Sequence, residues 1–93
     1  MDNLDKNPLE IVIKTSMDIE VLLSQLWGAK GAGLKEKFQS VQDQIPSHLH
    51  KGIQVIASIR QKSMASSFTF DDKKRERFER VYHKLKKELE AAA

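Results

Sequence analysis

Ninety-three residues suffice for one hydrophobic core and not for two, since a chain of this size buries roughly 60 to 65% of the surface it exposes when unfolded. With 40% hydrophobic and 31% charged residues the composition is that of a folded domain rather than a disordered one. The lack of cysteine excludes disulfides and thiolate metal ligation, and no apolar run approaches the 18 or so residues that a membrane-spanning helix needs.

The start, MDNLDKNPLE, is acidic and polar where a signal peptide carries a basic and then an apolar segment. A cytoplasmic location without membrane attachment is therefore expected. The net charge of +3 is uneven: −2 over residues 1–30, +3 over 31–70 and +2 over 71–93. Residues 1–7 are expected to form a disordered N-terminus, 8–90 a single helical domain, and Ala91 to Ala93 a tail, either a cloning scar or a frayed helix end.

Asn7-Pro8 predicts the start of the first helix, because Asn caps free amides and Pro tolerates the first helical position. Leu9, Val12, Ile13, Ser16, Ile19, Leu23, Leu26 and Trp27 then share one broad face at 100° per residue. Val12 and Ile13 are β-branched, which leaves a short strand over 10–14 as a minor alternative. Gly28, Gly31 and Gly33 end the helix.

A second helix is predicted from about Leu34 to Gln44, with Leu34, Phe38 and Val41 inward and Pro46 as the stop. Ser47 reads as the cap of a third helix that carries Leu49, Gly52, Ile53, Ile56 and Ile59 on one face and reaches about Met64. Thr69 and Asp72 form a box-like cap for a fourth helix, in which Phe78, Val81, Tyr82, Leu85 and Leu89 make a narrow apolar stripe. Four amphipathic segments with short connections predict an all-α, up-and-down antiparallel bundle of about four helices.

Charges inside an apolar stripe need partners. Glu20 on the first helix and Arg60 on the third break their stripes, and together they are candidates for a polar core site joined by an ion pair. The competing reading has Arg60 extending its head to water over an apolar surface. On the fourth helix Lys73, Arg77, Arg80, Lys84 and Lys87 recur at steps of four and three, a basic ridge of about 20 Å that could track phosphates. Glu76 and Glu79 interrupt it, and Lys84–Glu88 and Lys86–Glu90 fit ordinary surface pairs, so a plain solvated face is the competing expectation.

Ile11, Val21 and Leu22 give the first helix a second apolar face. Either that helix lies centrally or the face joins another copy, and a homodimer is the expectation.

No metal site, cofactor or catalytic set is predicted. His48 and His50 point to different faces at a spacing of two, and His83 stands alone. The GAKGAG stretch at 28–33 lacks the strand context and the lysine-threonine ending of a phosphate loop, so it reads as a flexible turn. No serine has an identifiable base and orienting group.

The segment from Leu34 to Leu89 resembles the C-terminal part of HEPN-like helical domains, in which a pattern I-P-x-x-L…I-x-x-I-R is followed by a polar residue and then a histidine. Ile45-Pro46, Leu49, Ile56, Ile59 and Arg60 match it. The resemblance implies a helical, commonly dimeric relative of metal-independent ribonucleases and of toxin–antitoxin or phage-defence proteins. Gln61 follows Arg60 and no histidine occurs between Gln61 and Val81, which implies a degenerate, non-cleaving member. The function expected is a non-enzymatic helical interaction module that self-associates and binds a protein partner, to which the resemblance adds a bacterial setting in defence, toxin–antitoxin or mobile-element systems. The alternatives are nucleic-acid binding through the helix-four ridge and a ribonuclease built on Arg60 with an unconventional base.

Overall fold

The computed structural model describes residues 8–65 and 67–92, and places in them four α-helices and no strand. Helix α1 spans Pro8–Trp27, α2 Leu34–Val41, α3 His50–Lys62 and α4 Asp72–Ala92. They pack as an antiparallel bundle. The capping role expected of Asn7 lies outside the described residues, whereas Ala91 and Ala92 form the end of α4, in keeping with the helix-end reading of this tail.

Val12, Ser16, Ile19 and Leu23 recur at steps of four and three along α1, and all are fully buried. Ser16 is tolerated there because its hydroxyl donates to the Ile13 carbonyl at 3.0 Å. The helix packs against α2, α3 and α4, which buries Leu22, at the edge of the main stripe, within this one chain and leaves Val21 exposed.

Gly28, at φ 69°, turns the chain out of α1 through the left-handed region. Its amide donates to Ser24 O at 2.9 Å, the next amide donates to Leu23 O at 3.2 Å, and Ala29 plugs the end of the core.

Helix α2 contributes Leu34, Phe38 and Val41. Its predicted last turn tightens into a 3-10 turn over Gln42–Gln44, and a second one over Ser47–Leu49 leads into α3. The cap expected of Ser47 is not made, since neither this turn nor α3 has a side-chain cap bond. His50 does the joining instead. Its Nε2 lies 2.9 Å from Ile45 O and 3.1 Å from Gln42 O, so the tautomer protonated on Nε2 donates to the Ile45 carbonyl and to that of Gln42, which also accepts the Ile45 amide. The ring meets Phe38 edge-on at 5.1 Å.

Ile53 and Ile56 of α3 are fully buried. Gly52 lets α4 come close: a Cβ there would stand 3.2 Å from Leu85 Cδ1. The cap of α4 is Asp71 rather than Thr69, its carboxylate accepting from the Lys74 amide at 2.8 Å and its carbonyl from the Arg75 amide at 2.9 Å. Phe78, Leu85 and Leu89 complete the core.

Candidate functional site

Because α3 and α4 run antiparallel, Gly52 faces Leu85, and Ile59 and Phe78 line one depression. Between the helices the core is incompletely roofed. Two depressions meet at the half-buried Val55 and Val81, one of about 570 Å³ toward the link between the helices and one of about 240 Å³ toward the start of α3.

The larger depression is floored by Ile59, Phe68, Phe70 and Phe78. Phe68 and Phe70 stack at 5.6 Å, and Phe70 meets Phe78 edge-on at 5.5 Å, so the link is anchored by aromatic contacts. Lys62, Lys74 and Arg77 rim it. The smaller depression, over Leu49 and Leu85, is bordered by Lys51, Lys84 and His48, with Glu88 as its acid. The face is thus an apolar trough with cationic margins.

All five ridge residues, Lys73, Arg77, Arg80, Lys84 and Lys87, are exposed on α4. Arg80 pairs with Glu76 at 3.9 Å, with both side chains largely in water, where such a contact contributes little. The expected Lys84–Glu88 and Lys86–Glu90 pairs are not formed among the described residues. Lys86 crosses to α1 instead, and Lys84 and Arg77 border the trough.

Glu20 and Arg60 are both half-buried, and no ion pair joins them. Arg60 sits in the last turn of α3, where its head keeps access to water and complements the helix dipole. The proposed self-association residues do not form one patch either. Leu22 is in the core and Ile11 packs half-buried against it, while Val21 is 50% exposed beside the equally exposed Met17.

One polar cluster has no counterpart in the sequence reading. The Tyr82 hydroxyl of α4 donates to the Asp18 carboxylate of α1, and Lys86 Nζ lies 3.5 Å from the same oxygen and 5.9 Å from the centre of the Tyr82 ring. Tyr82 and Lys86 are one turn apart, which puts them on one face; Asp18 stood among α1 residues that gave no hint of the pairing.

Burial, then the Asp18 hydrogen bond and charge, raise the Tyr82 pKa. Tyrosinate and Asp18 charge raise that of Lys86. These are the properties of a latch with a neutral phenol, not of an activated tyrosinate. The fold holds Tyr82 neutral more strongly than the unfolded chain does, so the stabilisation is complete below the unfolded value near pH 10 and is lost as pH rises through the higher folded value. The raised Lys86 value acts in the same direction. Tyr82→Phe should therefore lower unfolding free energy by roughly 0.5–1 kcal/mol near pH 8 and flatten the alkaline loss of stability. Denaturant titrations over an alkaline series check this; identical pH profiles for the two proteins would contradict it.

Turning to metal and anion chemistry, no cluster of three His, Asp or Glu side chains capable of holding a metal ion is present among the described residues. His50 is engaged with carbonyls, and His83 tilts against Tyr82 at 5.0 Å. In the 28–33 turn the Lys30 amide donates to Ser40 Oγ at 3.0 Å and the Ala32 amide to Glu36 Oε1 at 3.1 Å. The Ala32 amide is thereby already taken by a side-chain carboxylate.

Compared with known proteins, the chain matches no family model, no curated protein and no solved structure. None of these comparisons supports the resemblance to HEPN-like domains expected over residues 34–89.

Proposed function

We propose that this chain is a non-enzymatic helical interaction module that binds a protein partner in the trough between α3 and α4. The observation that carries this reading is the trough itself: side chains at Val55, Ile59, Phe68, Phe70 and Val81 line an open depression instead of closing over the core. A contiguous apolar surface rimmed by polar groups is the anatomy of a protein interface. The α1 surface carries an apolar depression of its own, of about 440 Å³ over Ile11, Ile13 and Met17, but it has no aromatic residue and fewer apolar side chains than the trough.

Val55→Glu places a charge where the two depressions meet, on a half-buried side chain whose loss the fold should survive. Proteins retained by the wild-type chain from a host lysate should be lost from this variant while its helical circular dichroism is kept. An unchanged set of retained proteins would overturn the reading.

The ridge on α4 favours a second reading, nucleic-acid binding, because Lys73, Arg77, Lys84 and Lys87 are exposed and form no ion pair among the described residues. Its mark would be affinity that falls steeply with salt.

A further inference from the structure

We propose that the occupant of the α3–α4 trough is an acidic amphipathic helix that lays its apolar stripe along the floor and its carboxylates against the cationic margins. This rests on the trough being the binding face and adds the chemistry of the partner. Two properties of the trough lead to it, length and charge.

The floor extends from Leu49 to Ile59 along α3, about 15 Å at 1.5 Å per residue, which matches roughly three turns of a docked helix. A third helix settles naturally into the groove between two packed ones, because their side-chain ridges leave a furrow of helical dimensions. Val55 and Val81 at the midpoint are small enough to let an inserted Leu, Phe or Met side chain reach toward Phe78.

The margins carry Lys62, Lys74 and Arg77 at one end and Lys51 and Lys84 at the other. Glu88 is the acid that lines either depression. None of these five cations is in an ion pair among the described residues, whereas the acids Asp18, Glu76 and Glu79 of α1 and α4 are paired with Lys86, Arg80 and Arg75. Five cations without an ion partner among the described residues thus border the trough against the one acid Glu88, an arrangement that selects anionic flanks on the incoming segment.

A polyanion without apolar groups fits less well. Single-stranded nucleic acid needs free aromatic faces to stack on, and here Phe68 and Phe70 are stacked on each other and Phe70 abuts Phe78. The rest of the floor is aliphatic, which gives a base nothing to pair with and gives an apolar side chain a place to leave water.

The test titrates isotope-labelled protein with three synthetic peptides of about 16 residues that share one apolar helical stripe and carry Glu, Gln or Lys on its flanks, and with a single-stranded RNA of similar charge. The Glu-flanked peptide should shift the amides of Val55, Ile59, Phe70 and Val81 first. It should bind about tenfold more tightly than the Lys-flanked peptide at low salt, with the advantage shrinking between about 50 and 500 mM salt.

The triple variant Lys62→Glu, Lys74→Glu, Arg77→Glu should reverse the preference. These three side chains are exposed, so its helical signal should be retained. Equal affinity for Glu and Lys peptides, shifts mapping to another face, no peptide binding, or RNA displacing the peptide would each overturn the proposal. If Val55→Glu still releases a natural partner while the peptides show no charge preference, the acidic helix is wrong and the trough remains the binding face. If neither effect is seen, both fall.

Discussion

Phe78→Ala is expected to lower the melting temperature by roughly 15 °C or more, enough to leave a large share of the chain unfolded under mild warming. Phe78 is 1% exposed and is the largest fully buried side chain among the described residues, with the Phe70 ring set edge-on against it. Removing such a ring costs about 3–5 kcal/mol, set against a total of about 5–10 kcal/mol for a small domain, and each kcal/mol moves the midpoint by about 4–8 °C at this size. The damage should also reach the trough, because Phe70 leans on the lost ring and Phe68 leans on Phe70. Phe78→Leu, which keeps most of the volume, should cost about 1–1.5 kcal/mol. Thermal unfolding followed by circular dichroism decides it: a midpoint within a few degrees of the wild type for the alanine variant would mean that Phe78 does not hold α3, α4 and the link together.

Leu22→Ala should destabilise by about 2–4 kcal/mol, and its neighbour Val21→Ala by less than about 0.5 kcal/mol. The two positions are adjacent in sequence and opposite in role: Leu22 is 8% exposed against the core, Val21 50% exposed. If α1 met another copy through both, the two substitutions would instead lower association and leave the chain's own stability close to unchanged. Denaturant unfolding combined with sedimentation over a range of concentrations separates the cases. A Leu22→Ala protein of wild-type stability and smaller assembly mass would restore the self-association surface.

Most of the fold was legible because its determinants are local. Steps of three and four along Val12, Ser16, Ile19 and Leu23 announce a buried helical face, and Gly28 and Pro46 break the chain where left-handed or extended backbone is needed. The caps were harder to read. Thr69, Asp71 and Asp72 all offer side-chain oxygens, and the choice of Asp71 follows from where Phe68 and Phe70 anchor the link, a tertiary constraint with no local signature.

Candidate sites were legible only as anomalies. Glu20 and Arg60 stood out as charges on apolar stripes, but periodicity says nothing about how far apart two helices hold their side chains, and no pair forms. The apolar excess of α1 pointed outward only while its neighbours were unknown; three helices packed around it turned Leu22 inward. The trough was invisible for the complementary reason. Its floor joins Ile59, Phe78 and Val81, which read as core, to Val55, Phe68 and Phe70, which belonged to no predicted apolar face, and only the spacing of α3 from α4 shows that Val55, Ile59 and Val81 are left partly open.

The most direct measurement of where this chain binds is site-specific photo-cross-linking in the native host, with a benzophenone amino acid at Val55 in one strain and at Val21 in another. The trough predicts a discrete heavier adduct from position 55 containing a second protein, and none from position 21. An adduct formed from position 21 alone, or one of twice the chain mass, would place the working surface on α1 and contradict binding between α3 and α4.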